Sequence, residues 1–279
     1  MSRKANKALV VLSGGQDSTT CLFWAKEYFD EVHAVTFDYN QRHSREIQAA
    51  RDVAKIAEVA SHEVVVLGPI LNGTSPLTSP SETLGLYTDY DSMASIIGDR
   101  VEKTFVPLRN ALFLTLAANR AVCLGTTHLV TGVCQADNAN YPDCRADFVA
   151  AQAAAIEQAL GIASFDIHAP LMDLSKAESI DLAMKLGPQV VVDNTLAYTA
   201  LAWSHTAYDG QYPPVGKDHA SILRAYGFEQ AGVPDPLVVR AVNDGLMWVP
   251  TTANYKPLLV GRVADSIRLV RDHFSLGGV

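Results

Sequence analysis

The chain has 279 residues, 48% hydrophobic and 19% charged, with a formal net charge of -8 at pH 7. That length holds one large α/β domain, or one domain with a small appendage, and the composition is that of an ordinary globular protein. The acidic balance argues against a broad nucleic-acid or anionic-membrane surface, and no run of eighteen apolar residues marks a membrane span.

Residues 1–7 carry no secretory apolar region. The four cysteines, Cys21, Cys123, Cys134 and Cys144, form no Cys-x-x-Cys pair. A reducing, cytoplasmic setting is therefore expected.

Residues 8–12, Ala-Leu-Val-Val-Leu, read as a short buried strand, and 17–28 as a helix. Between them runs Ser13-Gly14-Gly15-Gln16-Asp17-Ser18, followed by Thr19. Paired glycines let the backbone turn tightly and approach a ligand closely. The hydroxyls of Ser13, Ser18 and Thr19, with free N–H groups at a helix start, make an anion site; a plain β-to-α turn is the alternative. The Gly-Lys-Ser/Thr ending of a Walker loop is missing. The stretch resembles the pyrophosphate-binding loop of ATP pyrophosphatases, which implies cleavage of ATP between its α and β phosphates with transfer of AMP.

Further strands are expected at 32–37, 63–67, 127–133 and 165–168, and helices near 42–58, 109–124, 145–160 and 175–186. That alternation predicts a parallel, doubly wound sheet with helices on both faces and ligands beyond the strands' carboxyl ends. Phe37-Asp38-Tyr39 closes the second strand, and Gln41, His43 and Glu46 follow it into the next helix. These three would face the crevice, although such mixed charges also suit a solvated helix start. Residues 68–103, rich in Pro and Gly, form a long connection of the kind used as a lid or mobile loop.

In Val106-Pro107-Leu108-Arg109-Asn110, Arg109 falls in a first helical turn, where it opposes the helix dipole unless an anion compensates it. A Pro-initiated turn explains the pair equally well. After the fourth strand, Tyr141-Pro142-Asp143-Cys144-Arg145 sets Asp143 and Arg145 to bond a purine-like edge and Tyr141 to stack on it. Alternatively Asp143 is a helix N-cap. Ser175 and Glu178 match a capping box, which leaves Lys176 at a helix N-terminus, placed for a phosphate. Beyond residue 190 the sequence becomes polar and aromatic over 193–216. Helical patterns then return near 217–232, 236–245 and 258–274, so the chain divides into an α/β domain (1–190) and a mainly helical C-terminal region (191–279).

Together these motifs resemble the QueC family of 7-cyano-7-deazaguanine synthases over roughly residues 8–190 and again around 215–236. The resemblance implies an adenine nucleotide alpha hydrolase-like PP-loop fold. It also implies adenylation of 7-carboxy-7-deazaguanine by ATP with Mg²⁺, attack by ammonia, dehydration to the nitrile, and a homodimer. By the same resemblance, Ser13, Gly14, Gly15, Gln16, Asp17, Ser18 and Thr19 hold the nucleotide, with Asp17 toward Mg²⁺, and Phe37 and Tyr39 flank the adenine. Gln41, Glu46, Asn110, Tyr141, Pro142, Asp143 and Arg145 take the deazaguanine acid. Lys176, Arg109, Asp17 and His43 are the candidate catalytic residues.

The departures matter too. Family members usually hold a structural zinc with four cysteines, but Val215, Asp218 and Ser221 stand where three of them belong. Cys144 is the last cysteine in the chain, so structural zinc is not expected. His205, Asp218 and His219 are residue types that bind metal, although in a polar loop they also suit solvent. Leu108 replaces a small residue, and Asn138-Ala139-Asn140 departs from the family pattern before Tyr141. Such changes also fit an antiphage-defence paralogue that joins the activated deazaguanine to a partner-protein amine, and a third alternative is a non-catalytic nucleotide-binding subunit.

Overall fold

The computed structural model describes residues 5–42, 45–73, 75–79, 81–135, 140–247 and 257–277. Five parallel strands form the sheet: β1 (Ala5–Val11), β2 (Phe29–Asp38), β3 (Ser61–Val66), β4 (His128–Val130) and β5 (Asp166–His168). Their order is β3-β2-β1-β4-β5, so the chain steps outward from β1 to one edge and then restarts on its other side at β4. A crevice opens at such a reversal, beyond the carboxyl ends of β1 and β4.

Strand alternation divides the core into two layers. Ala8, Val10 and Leu12 face one side, where they pack with Leu22 and Phe23 of α1 (Gln16–Tyr28), Val53 of α2 (Arg45–Ile56) and Ile180 of α6 (Lys176–Ala183). Leu9, Phe37 and Leu129 face the other, against Leu114 and Ala118 of α4 (Arg109–Cys123) and Ile156 of α5 (Ala146–Leu160). The expected doubly wound α/β sheet is thus present, and every sequence-predicted strand has its counterpart.

Three local readings change. The fourth strand is only Val130-terminated, because residues 131–135 leave the ladder to line the crevice. The long 68–103 connection carries regular structure of its own. It contains α3 (Tyr90–Ile97), N-capped by Asp89, and its Met93 and Ile97 pack with Ile222 of α8 (His219–Ala231). Tyr90 stacks on Tyr226 of α8 with ring centroids 3.7 Å apart and planes 5° from parallel. Third, the 193–216 stretch includes β7 (Asn194–Thr195), antiparallel to β6 (Gln189–Val191), and α7 (Leu196–Ala200).

The C-terminal region is helical, as expected: α8, α9 (Pro236–Asn243) and α10 (Pro257–Phe274) follow α7. Val263, Ile267 and Val270 of α10 enter the α1 layer of the core. Among the described residues no helix is long and apolar enough to cross a membrane.

Candidate active site

A cavity of about 320 Å³ lies beyond the ends of β1 and β4. Its floor is the loop 13–18. There the Ser18 hydroxyl accepts from the Ser13 amide (3.2 Å) and stands 3.0 Å from the Ser13 hydroxyl, which tightens the turn. Gly14 has φ +86°, and a Cβ there would sit 2.2 Å from the Glu46 carbonyl oxygen, so only glycine lets the loop pack on α2. Ser13, Gly15, Gln16, Asp17 and Ser18 line the cavity; Gly14 and Thr19 do not. The Thr19 hydroxyl instead bonds the Gly15 carbonyl at 2.8 Å, closing the first turn of α1.

Gln16 is 4% exposed, and neither atom of its side-chain amide has a partner among the described residues. A buried unpaired amide is costly unless a ligand completes it. With the loop amides of an α-helix start, this donor set suits a phosphate chain.

Lys176, the first residue of α6, enters beside the loop. Its Nζ donates to both carboxylate oxygens of Asp17, at 2.9 and 3.1 Å. The capping box Ser175–Glu178 is formed and holds that helix start in place. Asp17 therefore reaches the cavity as half of an ion pair rather than as an isolated acidic ligand.

Phe37 and Tyr39 supply an apolar wall. Phe37 stacks on Phe113 at 4.6 Å, and Tyr39 meets the same ring edge-on at 5.3 Å. Arg109 Nη1 donates to the Tyr39 hydroxyl at 3.4 Å, and Tyr141, Tyr208 and Glu46 also lie within its electrostatic reach. Burial pushes the Glu46 carboxyl up to about 7; Arg109 opposes the rise and Asp218 adds to it. Gln41 lines the wall while its Oε1 accepts from the Tyr39 amide at 3.1 Å. Leu108, exposed and at φ +62°, takes the left-handed conformation that brings Arg109 and Asn110 to the start of α4. His43 lies outside the described residues.

Tyr141 and Arg145 line the far wall with Asn110. Pro142 and Asp143 do not line it. Asp143 is 8% exposed, and its Oδ2 accepts from the Asn110 amide at 3.3 Å while Asn110 Nδ2 bonds the Asp143 carbonyl at 3.0 Å. The carboxylate thus serves an orphan amide in the first turn of α4. It is not the N-cap of α5, whose N-cap residue is Arg145. Burial raises the Asp143 carboxyl, against the pull of the Asn110 bond.

The wall formed by 201–224 contributes lining residues that the sequence motifs did not name. The His205 amide bonds the Gly14 carbonyl at 2.8 Å and so buttresses the phosphate loop from behind. Arg224, 3% exposed, pairs with Asp235 through two 2.7 Å bonds and also donates to Ser204, Thr206 and the Leu201 carbonyl. Thr206, Tyr208, His219 and Arg224 all line the cavity. Tertiary pairing across about twenty residues of irregular chain leaves no local pattern to read.

The cysteine-to-polar changes have a structural counterpart. Asp218 caps α8, accepting from the Ser221 amide at 3.1 Å and from the Ser221 hydroxyl at 2.6 Å. Among the described residues no three His, Cys, Asp or Glu side chains are grouped to hold a metal ion. His205 Nε2 is instead 3.0 Å from the Ala207 carbonyl oxygen.

A parallel sheet reversing at β1, with a Ser-Gly-Gly-Gln-Asp-Ser loop at that reversal, defines a PP-loop nucleotide-binding α/β protein. The family model described as "Queuosine biosynthesis protein QueC" matches residues 7–232. A 7-cyano-7-deazaguanine synthase of Gloeobacter violaceus is 51% identical over 233 residues, spanning 83% of this chain and 95% of that protein. Proteins of the same name from Chromobacterium violaceum and Bacillus subtilis are 47% and 39% identical, covering 84% and 81% of this chain and 94% and 95% of their own. The chain belongs to the QueC family.

Proposed function

We propose that the protein converts 7-carboxy-7-deazaguanine to its 7-cyano derivative with ATP and ammonia. The observation that carries this reading is one cavity that unites a phosphate-binding floor, an aromatic wall at Phe37 and Tyr39, and a second aromatic, polar wall at Tyr141, Asn110 and Arg145. Two ligands side by side need that division, and the relatives bearing the synthase name match nearly the whole of their length.

In the first step a carboxylate oxygen of the acid attacks the α phosphorus, and pyrophosphate leaves. Ammonia then adds to the activated carbonyl, loses a proton, and expels AMP with the original carboxylate oxygen, giving the amide. A second ATP takes the amide oxygen in the same way. Loss of the nitrogen-bound protons and of AMP leaves the nitrile. Adenylation turns oxide, a poor leaving group, into AMP.

Lys176 and Arg109 bring positive charge to the side where phosphate charge develops, a preorganised electrostatic contribution. The loop amides and Gln16 orient the phosphate chain. Mg²⁺ would screen the charge of the departing pyrophosphate, with the phosphates supplying most of its ligands and Asp17 the nearby carboxylate. The raised Glu46 carboxyl, beside Arg109, offers a site for the N–H edge of the base or for the incoming nitrogen.

Incubation with ATP, Mg²⁺, 7-carboxy-7-deazaguanine and ammonium tests the reading by mass spectrometry. The expected products are the nitrile and two AMP for each nitrile formed. An amide that accumulates without nitrile overturns the second activation. Absence of AMP under every condition overturns the enzyme reading as a whole.

A further inference from the structure

Glu102 is a buried carboxylate, 3% exposed, at the end of the connection that precedes α4. Four donors converge on it. The Thr104 amide lies 2.6 Å from Oε2, the Thr104 hydroxyl bonds the same oxygen, the Tyr87 hydroxyl lies 3.2 Å from Oε1 and the Tyr141 hydroxyl 3.4 Å from Oε2. The Thr104 hydroxyl also meets the Tyr141 hydroxyl.

Counting protons orders this cluster. A hydroxyl has one proton to give, and the Thr104 and Tyr141 hydroxyls are both directed at Glu102 Oε2. Thr104 gives its proton to Glu102, so Tyr141 must be the donor toward Thr104 or toward the carboxylate itself. Either way the single phenolic proton of Tyr141 is committed inward. The burial of that phenol, with Glu102 next to it, holds its proton more tightly than usual.

The same turn is held at a second point: Asn140 Nδ2 donates to the carbonyls of Gly98 and Arg100, at 2.9 and 3.0 Å. Phe105 stands 5.5 Å from the Tyr141 ring. What Tyr141 leaves for the cavity is therefore its ring face and an acceptor oxygen, not a donor.

We infer that Glu102, acting through Thr104, is a positioning residue that fixes the Tyr141 ring as a stacking platform for the bicyclic base of the acid substrate. The inference rests on the proposed function, because it takes the Tyr141 wall as the side of the deazaguanine and the Phe37–Tyr39 wall as the side of ATP. Glu102 then sets affinity for the acid and leaves the nucleotide untouched.

The test uses the full-length protein and near-isosteric changes. Thr104→Val removes the relay hydroxyl, Thr104→Ser keeps it, and Tyr141→Phe removes the same bond from the other side. The KM for 7-carboxy-7-deazaguanine should rise about tenfold in Thr104→Val and Tyr141→Phe, the scale of one buried hydrogen bond. The double variant should be no worse than either single one, since one bond is lost once. The KM for ATP should stay within about twofold, and Thr104→Ser should behave as wild type. An unchanged KM for the acid in Thr104→Val overturns the inference, and so does an equal rise for both substrates, which a general loosening would give. A 3-fluorotyrosine resonance assigned to position 141 gives a readout independent of turnover: it should be sharp in the wild type and broadened or split in Thr104→Val. Should the wild type release no AMP with this acid, the functional reading fails, and the fluorine spectra alone then show whether the ring is anchored.

Discussion

Lys176 binds both carboxylate oxygens of Asp17, at 2.9 and 3.1 Å, across 159 residues of sequence. The pair joins the first turn of α6 to the first turn of α1, so the phosphate loop and the lysine beside it are aligned as one unit. Asp17→Asn and Lys176→Met should each lower AMP release by about 10²–10³-fold. The double variant should lose little more than either single one, because residues that act as a unit are not additive. Quantifying AMP by chromatography decides the point, and multiplicative losses would show that the two act separately.

Gly227 is where α8 passes over that lysine. A Cβ there would lie 2.4 Å from Lys176 Cγ and 2.9 Å from Lys176 Cβ. Gly227→Ala should displace Lys176 by a fraction of an ångström to an ångström, with a loss of about 10–100-fold in kcat. Overpacking should also cost about 1–3 kcal/mol of stability. Steady-state kinetics with a urea titration of the same sample separates the two effects; full activity would mean that α8 moves aside instead.

Glu46 carries a pH prediction whose sign follows from its environment. Its carboxyl titrates at about 7 in the folded protein, against an ordinary value of 4.5, because burial penalises the charge. An acid raised on folding stabilises fully below its unfolded value, and that contribution is lost as pH rises through the folded one. Glu46→Gln, neutral at all pH, should raise Tm at pH 8 by about 3 °C or more and leave it nearly unchanged at about pH 4, below the unfolded value. Thermal melts at both pH values provide the check. An equal shift at both would remove the titration from the account.

The 215–235 region makes a prediction about metal. Asp218 and Ser221 bond each other where the family resemblance places thiolates, and Arg224 and Asp235 lock α8 to the start of α9. Elemental analysis should find no stoichiometric zinc, and a strong chelator should leave Tm unmoved. Asp235→Ala should cost about 3–5 kcal/mol by stranding the arginine, read by urea denaturation. A chelator-induced fall in Tm would contradict the polar clasp.

The sheet and its helices were legible because alternation and helical periodicity are local signals, as in Ala8, Val10 and Leu12 against Leu9. The phosphate loop was legible for the same reason: six contiguous residues carry it. The bond between the Asp143 carboxylate and the Asn110 amide was not legible, because the two lie 33 residues apart in sequence. The helix α3 was hidden by the Pro and Gly residues around it. Glu102 and Thr104 belong to no motif, and only the folded chain brings Tyr141 to them. Asp17 and Lys176 were each marked, yet nothing local in the sequence says that they neutralise one another.

The bond from the His205 amide to the Gly14 carbonyl has a consequence for how the protein is made. The 13–18 loop leaves the ribosome well before the segment that backs it, which lies almost two hundred residues further along the chain. Nascent chains ending before residue 224 also lack the Arg224 wall. Nucleotide affinity should therefore arise late and abruptly during synthesis, long after the sheet has its central strands.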